Sequence, residues 1–228
     1  MKKVRFAAWL VALTSLAAYA GAPQERPSAF VPKGYRVVET VTGDLNKDGQ
    51  DDVVLLVKGT DPSKIVTNAR GEELDRNRRG LIIAFKQGAR YALASKNLDC
   101  FSSEHEDGGV YFAPELSIDI RKGRLLFHYS HGRYGYWDYT FRYQKGDFYL
   151  IGYDASNDYG PVVESVVSIN LITGRVLKRV NTNEDAEGGG EETFRDTWSK
   201  IAKPELISLD GIKDFDDLDV ANRLGVWK

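Results

Sequence analysis

Four times along the chain, two short strand-like segments flank a turn that contains glycine, and in the last three of these the flanking segments alternate apolar and polar residues. This repetition constrains the fold more than any other feature. Residues 81–85 and 91–94 flank a loop holding Gly88, and residues 116–120 and 125–129 flank Gly123. Residues 137–143 and 148–152 flank Gly146, and residues 163–171 and 175–180 flank Gly174. Period-two alternation puts every second side chain on one face of a strand, and glycine supplies the positive φ that a tight turn needs. Residues 35–42 are rich in β-branched side chains, and Val53-Val54-Leu55-Leu56-Val57 reads as a buried strand. Helical spacing is confined to residues 191–201, where Phe194, Trp198 and Ile201 recur, and residues 71–79 are charged enough to read as an exposed loop. The expectation is an all-β fold of antiparallel hairpins with few short helices.

The N-terminus divides like a secretory signal peptide. Lys2, Lys3 and Arg5 form a basic start, residues 6–20 are mostly apolar, and Ala18-Tyr19-Ala20 places small residues where signal peptidase reads them. Cleavage is expected after Ala20, with Ala22 as the alternative. Fifteen residues containing Thr14 and Ser15 fall short of the roughly 20 needed to span a bilayer, so no membrane span is expected after cleavage. Residues 21–34 hold three prolines and read as a leader, followed by a single mostly-β domain over 35–228. The destination is periplasmic or secreted. Removal of residues 1–20 takes the net charge from −2 to −5, which gives no attraction to nucleic acid. A single cysteine, Cys100, excludes an intramolecular disulfide framework and any Cys-rich zinc site, and its apolar neighbours Leu98 and Phe101 place it in the core.

One stretch carries specific chemistry. From Asp44 as position one, oxygen side chains fall at positions one (Asp44), three (Asn46), five (Asp48) and nine (Asp52), with Gly49 at six. Calcium takes six to eight hard oxygen ligands, and alternate residues of a tightly wound loop point inward to supply them. Gln50, at seven, offers its main-chain carbonyl. The metal-ligand expectation is therefore Asp44, Asn46, Asp48, Gln50 and Asp52 around a structural Ca2+. A helix–loop–helix calcium hand would need an acid at position twelve and a helix beyond it, but Leu55 stands there inside a strand.

The order Gly43-Asp44-Leu45-Asn46-Lys47-Asp48-Gly49, with Asp52 and an apolar strand after it, resembles the FG-GAP repeat of integrin α-subunit propellers and of related secreted bacterial propeller proteins. The resemblance implies a calcium loop between two strands of one propeller-blade-like unit. No second loop of this kind follows, and the chain is too short for seven blades, so a β-sandwich is the alternative architecture.

Weaker features complete the reading. Trp137, Tyr139, Phe141 and Tyr143 share one face of a strand, either as core or as a stacking platform for a sugar. Core is the preferred reading. Acidic stretches at 154–158, 181–188 and 214–219 read as ordinary polar loops. Neither a nucleophile elbow nor a phosphate loop is present. The functional expectation is an exported calcium-binding β protein of binding or accessory type, with an envelope protein or glycan as partner. The alternative is a periplasmic hydrolase acting on envelope polymer, built on His105 and its neighbouring acids Glu104, Glu106 and Asp107.

Overall fold

The computed structural model describes residues 22–103, 105 and 113–226; the expected signal peptide, residues 1–20, lies outside them. Strands β1 (Tyr35–Gly43) and β2 (Asp52–Gly59) pair antiparallel across the acidic loop. A small hairpin of β3 (Ile65–Thr67) and β4 (Glu73–Asp75) is inserted before β5 (Arg79–Gln87) and β6 (Arg90–Phe101) complete a four-stranded meander in the order β1-β2-β5-β6. The rest of the chain makes a second antiparallel meander in chain order. It comprises β7 (Glu115–Arg121), β8 (Arg124–Ser130), β9 (Gly135–Gln144), β10 (Asp147–Tyr159), β11 (Val162–Asn170), β12 (Arg175–Asn181) and β13 (Phe194–Lys200). The Lys122-Gly123 and Lys145-Gly146 turns have positive φ at both residues, the conformation that matches the twist of a two-residue hairpin. A short helix α1 (Val220–Arg223) begins at Asp219, whose side chain accepts the Asn222 N–H.

The two sheets share one core. Phe85 of the four-stranded sheet meets the rings of Tyr143 and Phe148 of the seven-stranded sheet at 4.7 and 6.0 Å between centroids. At the other end Phe101 meets Phe127 at 5.3 Å. The C-terminal segment closes the gap: Phe215 stacks on Phe101 at 4.9 Å, contacts Phe127 and Tyr139, and donates its N–H to the Cys100 carbonyl. A four-strand meander is also what one propeller blade consists of. Here its inner face is covered by a second sheet, as in a sandwich.

The continuous apolar run in β2 now has a cause. Val54 and Leu56 enter the shared core, whereas Val53, Leu55 and Val57 face the other way into a second cluster. That rear cluster is covered by Phe30 and Val31 of the leader, and Gln24 exchanges both main-chain hydrogen bonds with Tyr91 at 2.8 Å. The leader is thus packed onto the sheet. Tyr139 and Phe141 are buried in the shared core, and the half-buried Trp137 and Tyr143 pack against it, with Trp137 stacked on Tyr129. Cys100 is fully buried.

Two expectations are corrected. Residues 191–201 form no helix; β13 runs through them and pairs with β12 from Arg175↔Lys200 to Asn181↔Phe194. Phe194 and Trp198, four residues apart, share a face in a strand as well as in a helix, and the neighbouring β12 edge decided between the two. Residues 71–79 are not a plain exposed loop. Leu74, Asn77 and Arg79 are buried, and Asp75 reaches the buried Lys58 at 3.1 Å, while Glu72, Glu73 and Arg76 stay exposed.

Phe127 sits where both sheets and the C-terminal segment meet, with rings of Phe101, Phe141 and Phe215 around it. Phe127→Ala should cost about 3–5 kcal/mol in urea unfolding, a large share of a normal domain's stability.

Candidate metal centre

The acidic loop joins the ends of β1 and β2 at the edge of the shared core. Gly43, the last residue of β1, lies against Ile120 of β7: a Cβ there would come within 2.7 Å of the Ile120 side chain. Only glycine lets the loop begin this close to the second sheet. Leu45 then turns inward and is 2 % exposed, a core residue contributed by the loop itself. Lys47 and Gly49 both take positive φ, which winds the chain tightly enough to bring Asp44 back over Asp48 and Gly49.

The side-chain oxygens of this loop bond to its own main chain. Asp44 Oδ1 and Asn46 Oδ1 accept the same Asp48 N–H at 3.1 and 2.9 Å, and Asp44 Oδ2 accepts the Gly49 N–H at 3.0 Å. Asp48 Oδ1 accepts the Gln50 N–H at 2.8 Å, and its Oδ2 accepts from Asn46 Nδ2 at 3.1 Å. Asp44, Asn46 and Asp48 therefore gather over one stretch of main chain while keeping lone pairs for a further partner. The Gln50 side chain points elsewhere and accepts the Gly88 N–H at 3.2 Å.

Asp52 has a different place. It is 0 % exposed, and its carboxylate accepts three main-chain N–H groups: Leu45 and Asn46 on Oδ2 at 2.9 and 3.3 Å, and Lys86 on Oδ1 at 2.9 Å. Burial raises the Asp52 carboxyl above its ordinary value, and the three amide donors oppose that rise. Two of its four lone-pair sites are spent on Oδ2 and one on Oδ1. Its first role is to fasten the loop to both β2 and the β5 end.

Among the described residues, no three Asp, Glu, His or Cys side chains form a ready ion site. The donor set that fits a hard cation is mixed: two carboxylates (Asp44, Asp48), one amide oxygen (Asn46) and the Gln50 carbonyl, with water completing the shell.

A second polar constellation, not singled out from the sequence, crosses the outer face of the seven-stranded sheet. Ser117, His128, Asp138, Asp154 and Ser168 stand directly opposite one another on β7 to β11. His128 Nδ1 meets Asp138 Oδ1 at 2.6 Å, so Asp138 fixes the ring and leaves Nε2 at its open edge. Burial raises the Asp154 carboxyl, the Ser168 hydroxyl opposes the rise, and the Asp138 charge adds to it. Only the pairing of β7 to β11 brings these groups together, which is why spacing along the chain did not show them. His105 lies apart, and its acidic neighbours Glu104, Glu106 and Asp107 fall outside the described residues.

Comparison with family models, with curated proteins and with solved structures gave no match.

The raised Asp154 carboxyl fixes the sign of a pH effect. A folded state that holds the proton more tightly than the unfolded chain loses stability as pH rises past the ordinary carboxylate value. Asp154→Asn should therefore raise the melting temperature at pH 7, and the gain should shrink to nothing below about pH 4.

Proposed function

We propose that the protein is an exported, calcium-binding β protein of binding or accessory type, working in the periplasm or outside the cell, with an envelope protein or glycan as its partner. The observation that carries the reading is the turning of the Asp44, Asn46 and Asp48 oxygens onto the Asp48, Gly49 and Gln50 amides, in a loop anchored through Leu45 and Asp52. Calcium would be held by those three side chains and the Gln50 carbonyl, with Asp52 placing them from below. The ion would supply positive charge between Asp44 and Asp48 and so tie the end of β1 to the start of β2. The FG-GAP resemblance of residues 43–57 points to the same reading. Export is supported by the basic-apolar-small pattern of residues 1–20. No helix among the described residues is long and apolar enough to cross a membrane.

Thermal melts in calcium and in excess chelator test the reading. At a calcium concentration one hundredfold above the dissociation constant, stabilisation should reach about 2.7 kcal/mol. Asp48→Ala should remove most of the calcium-dependent rise. Asp52→Ala should lower the melting temperature in chelator as well, because it orphans three main-chain donors. Identical wild-type melts in calcium and chelator would overturn the proposal.

The His128–Asp138 pair favours one second reading, a hydrolase acting on envelope polymer with His128 as general base. Purified cell-wall sacculi are the probe: solubilisation that His128→Gln abolishes would support it, and intact sacculi after prolonged incubation would sink it.

A further inference from the structure

The strand β13 is exposed at all seven residues and forms one edge of the seven-stranded sheet, with a partner among the described residues on its β12 side alone. Edge strands carry a row of main-chain donors and acceptors ready to pair with another chain. Which residues carry that row follows from the β12 pairing. The Ile201 N–H donates to the Gly174 carbonyl and the Thr182 N–H to the Thr193 carbonyl, so odd-numbered residues of this segment bond toward β12. Alternation then turns the N–H and C=O of Phe194, Asp196, Trp198 and Lys200 outward. Their side chains share the outer face of the sheet, where Trp198 is 59 % and Phe194 37 % exposed. Arg175 lies 4.6 Å from the centre of the Trp198 ring, and Arg179 holds Asp196 through both carboxylate oxygens at 2.8 and 2.9 Å. The tryptophan is thus presented from a braced surface.

We propose that the partner for this edge is the β13 strand of a second copy, paired antiparallel about a two-fold axis at Trp198. A two-fold axis perpendicular to the sheet keeps outer faces together, so each residue opposes one whose side chain leaves the same face. With the axis at Trp198, the two Trp198 residues oppose each other, and Asp196 of each copy opposes Lys200 of the other, twice. The outward-facing amides of Trp198, Asp196 and Lys200 then bond across the axis. An axis at Asp196 or at Lys200 sets like charges against each other. An axis at Thr197 or Ser199 leaves Asp196 and Lys200 opposite uncharged residues. The Trp198 register alone joins ring to ring and charge to opposite charge, which is the self-complementarity that an isologous interface requires. Pro204, just beyond, ends the run that can pair. The two seven-stranded sheets become one continuous sheet.

Sedimentation of the purified protein over a concentration series tests this, with circular dichroism confirming that each variant is folded. Wild type should associate to a dimer. Lys200→Glu and Asp196→Lys should each weaken self-association about tenfold or more, since each sets like charges opposite one another. An equimolar mixture of the two variants should dimerise again, because every opposed pair is then complementary. A monomer at every wild-type concentration, or a dimer that both folded variants leave intact, would overturn the proposal. So would a mixture of the two that stays monomeric.

Discussion

A buried carboxylate with three amide donors is the constraint on which this structure depends. Asp52 opens β2 inside the protein, where an ionised group without partners is too costly to keep. Its partners are the Leu45 and Asn46 amides from the loop and the Lys86 amide near the end of β5. Each charge-assisted bond contributes roughly 1.5–3 kcal/mol, so together they fix the register of three segments at one point. Leu45 is thereby placed in the shared core, and Asp44, Asn46 and Asp48 are left above it with their oxygens turned inward. The loop's readiness for a cation is a consequence of this fastening: positions one, three and five converge because the residues at two and nine are held.

The same economy explains the leader and the C-terminal segment. A β2 strand apolar on both faces must be covered on both. One face meets the seven-stranded sheet, and the other meets Phe30 and Val31. Residues 209–226 fill the space between the sheets with Phe215, Leu218 and Val220. Both segments are structural, even though the leader's prolines and weak periodicity give it the look of a connector.

The hairpins were legible in the sequence because their information is local: alternation on both sides of a glycine fixes both the strands and the turn that joins them. The aromatic face of β9 and the burial of Cys100 were legible for the same reason, from side-chain type and phase. Residues 194–200 were misread because an i, i+4 aromatic pair fits a helix face and a strand face equally. Pairing with β12, a non-local interaction, settled the matter. Charge in residues 71–79 suggested solvent, but Lys58 and Asp75 neutralise each other inside the fold. In the acidic loop, spacing identified the oxygen-bearing positions but could not distinguish Asp52, the fully buried anchor, from Asp44, Asn46 and Asp48, which stay nearer the surface. The outer-face row from Ser117 to Ser168 draws one residue from each of five strands, and so had no signature along the chain.

Residue-resolved amide hydrogen exchange tests the central role of Asp52 most directly. The account requires the Leu45, Asn46 and Lys86 amides to exchange only through global unfolding, at rates matching the amides of β2 and β5. Exchange of those three amides as fast as that of the exposed Asp51 amide, while β2 stays protected, would show that the carboxylate does not hold the loop.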